Sequence, residues 1–238
     1  MARTVNEKEY AEKRNEILDV AQRFVYTRGY EEMSIQDILD ELKISKGAFY
    51  HYFDSKQDLL EAIIDRIRDD MARILTPIVH DPQLSALEKL QRFFTALSYF
   101  KTERKTFLIA LLHVWYKDEN AIVRQKVRVD GNKLITPLLT HIIHQGIQEG
   151  VFTTPFPDYA GEIVLSMSQG LGETLGDVIL FAHEPEEQAL LHIESVTAAY
   201  SDAIERVLGV PKNALTIVYT DVLKDWYVSA QKDFSHTI

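Results

Sequence analysis

Cysteine is absent from the 238 residues. Disulfides, zinc–thiolate sites, iron–sulfur clusters and cysteine nucleophiles are excluded with it, and the absence suits a reducing compartment. Proline and glycine are sparse, at 7 and 10 residues, and no low-complexity tract or internal repeat occurs. Net positive charge is missing too. There are 26 Lys and Arg against 36 Asp and Glu, a formal charge of −10. A uniformly basic nucleic-acid coat is thereby excluded, while a local basic spot is not. The most apolar stretch, residues 163–182, is interrupted by Gln169, Glu173 and Asp177, whereas a membrane span needs about 20 apolar residues. The opening MARTVNEKEYAEKRNEI has no apolar centre of the signal-peptide kind. A cytoplasmic protein without a membrane partner is expected. No G-x-S-x-G, H-E-x-x-H or phosphate-binding glycine loop appears, and Gly170, Gly172 and Gly176 follow no strand pattern, so they form no nucleotide fingerprint. His141 and His144 have the i,i+3 spacing for a shared metal, but the sequence places no third ligand. No catalytic residue, metal or cofactor is assigned, and an enzyme is not expected.

Almost every segment instead repeats at the helical period. Ile17, Leu18, Ala21, Phe24 and Val25 fall on one face, and Gly29 is positioned to stop that helix. Ser34 reads as an N-cap, with Asp37 at the capping-box position, for a helix over 34–42. A short helix over 45–52 follows, then a longer one with Leu60, Ile63, Ile64, Ile67, Met71 and Ile74 on a stripe. Pro77 and Pro82 bracket a break at 76–82, with Asp81-Pro82 suited to a helix start. Further helices are predicted over 104–116, 119–148 (kinked at Pro137), 158–182, 186–208 and 213–230. The expected fold is all-α, with nine or ten helices.

Residues 14–62 carry most of the functional information. The helices at 34–42 and 45–52 have helix-turn-helix spacing, a unit able to offer its second helix to a DNA major groove. That second segment reads SKGAFYHYFDSK. A glycine inside a helix costs roughly 1 kcal/mol relative to alanine, so Gly47 points to close approach of another surface. Lys46, His51 and Lys56 offer donors to phosphates, and Tyr50 and Tyr52 are rigid hydroxyl-tipped arms. Residues 43–56 hold three Lys and one Asp, a local charge of +2.

The ordered set Ile17, Ala21, Phe24, Gly29-Tyr30, Ser34-Ile35, Ile38, Ser45-Lys46-Gly47, Tyr50, Tyr52-Phe53, Lys56 and Leu59-Leu60 resembles the DNA-binding domain of the TetR family of bacterial repressors. The resemblance implies that Lys46, Gly47, Ala48 and Tyr50 meet base edges, with Lys suited to guanine O6/N7 and Ala48 to a thymine methyl. It implies that Ser34, His51, Tyr52 and Lys56 meet phosphates; for Tyr52, packing with the hydroxyl at the rim is the alternative. Phe24, Ile38, Phe49 and Phe53 are expected in the core. Lys43 departs from the pattern, because family members often have Gly in that turn. Residues 1–56 hold nine Lys and Arg against eleven Asp and Glu, a net of −2. Glu7, Glu9, Glu12, Glu16 and Asp19 must therefore face away from a duplex, with Arg3 and Lys8 forming an arm near the minor groove.

The resemblance divides the chain into a helix-turn-helix domain, residues 1–54, and a helical effector-binding and dimerisation domain, residues 55–238. The helix at 55–75 is expected to link them. Small residues Gly161, Ser168, Gly172 and Gly176, together with the stripe Ile193, Thr197, Tyr200 and Ile204, suit close helix association. That association is either intramolecular or the four-helix interface of a homodimer. Phe94, Phe107, Trp115 and Tyr116 either line an effector pocket or form plain core, and His113, Gln169 and Glu173 are its polar candidates. The function implied is a dimeric, ligand-responsive regulator, a repressor released from a near-palindromic operator by a small apolar effector. The alternative is a helical small-molecule-binding protein or enzyme whose helix-turn-helix no longer functions. Repression and activation are not separable from sequence.

Overall fold

The computed structural model describes residues 2–28, 30, 32–103, 105, 109, 121–181 and 185–235. Among them every regular element is an α-helix. These are α1 (Ala2–Arg28), α2 (Ile35–Leu42), α3 (Lys46–Tyr50), α4 (Lys56–Val79), α5 (Ala86–Glu103), α6 (Ala121–Gln148), α7 (Pro157–Phe181), α8 (Glu186–Leu208) and α9 (Thr220–Ser235). Most of the helix expected at 104–116, and Gly29 at the end of α1, lie outside the described residues. The chain forms two compact units, Met1–Asp69 with Thr106–Val127, and Asp70–Lys105 with Arg128–Ile238.

In the first unit, Ile17, Leu18, Ala21, Phe24 and Val25 of α1 are buried with Ile38, Leu39, Phe49 and Phe53. The core does not end at residue 54. Leu59, Leu60, Ile63 and Ile64 of α4 belong to it, because three helices this short cannot bury enough apolar surface alone. No residue of 7–16 belongs to that buried core, yet α1 is helical from Ala2. Arg3 and Lys8 therefore lie on a helix and not on an extended arm, and Lys8 pairs with Glu12 at 3.7 Å.

In the second unit the break is shifted from the expected one. Pro77 lies inside the last turn of α4 and does not end it. The next helix starts at Ala86, not at Asp81-Pro82. Ser85 and Glu88 form a reciprocal cap: the Ser85 N–H and hydroxyl donate to Glu88 at 2.9 and 2.7 Å. These bonds hold the Glu88 carboxyl below its usual range. Pro137 lies within α6 without ending it, and Gly150, at φ 72°, follows that helix. Helices α7 and α8 pack along each other, and α9 lies against both. The stretch 213–219, expected to be helical, is not. The buried Glu205 carboxylate accepts the N–H groups of Asn213 and Leu215, each at 3.0 Å. Gln91 accepts the Thr216 N–H at 2.9 Å and donates to its carbonyl at 3.2 Å. These side chains stand in for helical backbone partners.

Candidate nucleic-acid interface

The interface is built outward from α2. Ser34 caps it in extended conformation: the Asp37 N–H donates to the Ser34 hydroxyl at 3.1 Å, and the Ser34 N–H and hydroxyl donate to the Asp37 carboxylate at 2.8 and 2.6 Å. Those bonds, with a smaller contribution from Arg28, hold the Asp37 carboxyl below the usual range. The single proton of the Ser34 hydroxyl is thus committed to Asp37. Lys43 ends α2 in the left-handed region at φ 52° and ψ 42°, its N–H bonded to Leu39 O. The departure from glycine is therefore accommodated at modest strain, about 1 kcal/mol. The Ile44 N–H donates to the same carbonyl at 3.1 Å, and this fixes the turn.

Ser45 then caps α3 by accepting the Ala48 N–H at 3.1 Å. The helix has only five residues and would not persist alone. It is pinned by Phe49, which is fully buried and packs on Phe53 with ring centroids 5.9 Å apart. With Phe49 inward, Lys46, Gly47 and Tyr50 are exposed and Ala48 is half-buried. The Lys46 ammonium lies 5.9 Å from the Tyr50 ring centroid, and Tyr50 is 42% exposed. A Cβ added at Gly47 would meet nothing nearer than the Ser45 hydroxyl at 3.9 Å. No packing inside the described chain requires that glycine.

The residues expected at phosphates flank this face. His51 is exposed and Tyr52 half-buried, their rings edge to face at 5.1 Å. Lys56 begins α4, with its ammonium 4.3 Å from the Tyr30 ring centroid. Sequence reasoning missed Tyr10 and Arg14. Tyr10 packs on Tyr52 and His51 at 4.8 and 5.4 Å, and the Arg14 guanidinium lies 4.8 Å from the Phe53 ring centroid. No local pattern announces contacts across some forty residues of chain. Glu7, Glu9, Glu12, Glu16 and Asp19 are all exposed, and Asp19 pairs with Arg66 at 2.5 Å.

The residues expected at a dimer interface are mostly occupied within the protomer. Ile193, Thr197 and Ile204 are buried, as is Gly176. A Cβ on Gly161 would sit 2.5 Å from the Thr140 hydroxyl, so this glycine serves α6–α7 packing. The Tyr200 hydroxyl lies 3.0 Å from where a Cβ on Gly170 would be. Ser168 is half-buried and donates to Val164 O at 2.8 Å. Gly172 alone of this set is exposed, with open space around it. Of the expected pocket residues, Phe107, His113, Trp115 and Tyr116 lie outside the described residues. Phe94 is buried core, Gln169 donates to Asn132 at 2.7 Å, and Glu173 is exposed. The two histidines do not share a site: His144 pairs with Asp158 at 2.9 Å, while His141 stacks on His80 at 5.0 Å. No metal-binding group of three side chains exists among the described residues.

A capped, five-residue helix joined by a tight turn to α2, with Lys, Gly, Ala and Tyr outward from a buried phenylalanine, has the form of a helix-turn-helix unit. A family model of bacterial regulatory proteins of the tetR family matches residues 17–63, and one of the tetracyclin repressor-like C-terminal domain matches residues 115–192; together they span more than half of the chain. The HTH-type transcriptional repressor KstR2 of Mycobacterium tuberculosis is 28% identical over 144 residues, 59% of this chain and 69% of that repressor. The uncharacterized HTH-type transcriptional regulator YerO of Bacillus subtilis is 26% identical over 220 residues, 89% of this chain and 70% of that protein. A TetR transcription regulator from Haloarcula marismortui shares the fold, with a TM-score of 0.58 at 19% identity over 93% of this chain and 96% of that one. The chain belongs to the TetR family and is a DNA-binding transcriptional regulator. None of its described helices is long and apolar enough to cross a membrane.

Proposed function

We propose that the protein is a homodimeric repressor that reads a near-palindromic operator and is released from it by a small apolar effector. The observation that carries this reading is the outward face of α3, where Gly47 leaves space that nothing in the protomer uses. Lys46, Gly47, Ala48 and Tyr50 meet base edges in the major groove. His51, Tyr52 and Lys56 meet phosphates, and Ser34 acts through the α2 N-terminus it caps, whose free N–H groups favour anions. One helix of this length reads a single half-site. Selective binding therefore needs two copies, about 34–36 Å apart.

The second copy is held through the outward side of the α7–α8 pair, since the inward stripe is already filled. Tyr159, Ile163, Leu191, Ala198 and Ala199 are exposed there. The effector binds in the helical region of residues 84–180, to a form whose two α3 helices no longer match successive grooves. Moving the population from 99:1 to 1:99 requires about 5.5 kcal/mol of differential affinity.

The test is a gel-shift and footprinting assay of the full chain on the DNA upstream of its own coding region. Two protected half-sites one helical turn apart are expected, with binding that weakens steeply as salt rises. Lys46→Ala with Tyr50→Ala abolishes this binding and leaves the thermal transition unchanged. Equal binding to unrelated DNA at low salt, or an unaffected double variant, refutes the reading.

A further inference from the structure

We propose that Tyr10 is a positioning residue for DNA binding, through which the amino-terminal turns of α1 hold the carboxyl-terminal end of the reading helix. Phe49 and Phe53 are buried and backbone bonds from His51 and Phe53 close the last turn of α3, but between these anchors the His51 and Tyr52 side chains lie at the surface. The His51 carbonyl is among the acceptors that a helix end leaves without an intrahelical partner. The Tyr10 hydroxyl donates to it at 3.4 Å. The Tyr10 ring tilts 39° over Tyr52 and stands at 82° to His51, so three rings close on one another. One turn further along α1, Arg14 covers Phe53.

No residue of 7–16 is itself a member of the buried core of the unit. Tyr10 is itself 38% exposed. Its contacts therefore add little to folding, but they restrict the rotamers of the side chains that flank the base-reading face. This rests on the reading that His51 and Tyr52 meet phosphates. Ordering those side chains before DNA arrives removes a cost from binding. Sparing the immobilisation of two such side chains corresponds to about tenfold in affinity.

The experiment uses the full chain and a duplex that the wild type recovers from a random-sequence library. Tyr10→Ala is expected to bind that duplex about tenfold more weakly, and Tyr10→Leu, which keeps the helix propensity, to match it. Tyr10→Phe stays within about twofold, because the hydroxyl bond is long. Thermal midpoints of all three remain at the wild-type value. In a double-mutant cycle, adding Tyr10→Ala to Tyr52→Ala causes little further loss. The proposal is overturned if Tyr10→Ala and Tyr10→Leu keep wild-type affinity, or if the Tyr10 and Tyr52 losses add. It is equally overturned if Tyr10→Phe is as weak as Tyr10→Ala, which would mean the hydroxyl itself touches DNA. A wild type that recovers no duplex refutes the DNA-binding reading itself, and this one with it.

Discussion

At Gly47 the missing side chain serves no packing among the described residues, and on the proposed reading it leaves room for a base edge. Alanine there fits the described chain without a clash and improves the local helix by about 0.5–1 kcal/mol. Gly47→Ala is therefore expected to raise the unfolding midpoint while lowering DNA affinity, because its methyl occupies the space a base edge would take. Chemical denaturation and a gel shift on the same preparation check the two opposite signs. What is legible from sequence is that Lys46, Gly47 and Tyr50 stand outward, because Phe49 alone of this short helix suits the core. Ser34 is less legible. Its type suits both a cap and a phosphate contact, and only the 2.6 Å bond to Asp37 commits its proton to the cap.

Local chemistry was sufficient for some elements and misleading for others. Ser34 with Asp37 and Ser85 with Glu88 carry their caps within four residues, so the α2 start was readable. The α5 start was obscured by the more conspicuous Asp81-Pro82. The non-helical course of 213–219 depends on Glu205 and on Gln91, which lies more than a hundred residues away. Helix α6 carries a pH effect that follows from its neighbours. Partial desolvation of this otherwise exposed side chain, then His80, Lys89 and His144, hold the His141 imidazole below its ordinary value; Asp158, from α7, is paired to His144. The native state therefore binds fewer protons at this site than the unfolded chain, whose imidazole titrates near ~6.5. This contribution to stability is present above that value and is lost as pH falls through it and through the lower native pKa. Urea midpoints at about pH 7.5 and about pH 5.5 should differ in that direction, and His141→Asn should flatten the difference.

At the scale of the whole molecule, the acidic balance and the DNA-binding face coexist because the charge is unevenly placed. The chain carries −10 overall, but residues 43–56 carry +2. On the proposed reading, association of two copies decides whether that small positive face can read an operator. Placing arginine on the outward side of the helix pair, Ile163→Arg with Ala198→Arg, is expected to give a monomer in sedimentation. That monomer should lose selective DNA binding while its helical content and thermal transition are kept. The same substitutions leaving a dimer would move the interface elsewhere. Replacing Ile193 with arginine is a different experiment, since that side chain is buried in the protomer and its loss unfolds the second unit.

Sequence by itself determined the all-helical fold, the capped turn and the composition of the reading face, because each rests on interactions within one helical turn or on the absence of any partner. Tertiary structure alone decided that the first unit extends into α4, that the Ile193–Ile204 stripe is spent within one protomer, and that Tyr10 meets His51 and Tyr52. The physical reason is that an apolar stripe states only that a face will be covered. What covers it is settled by which distant segment the rest of the chain brings alongside.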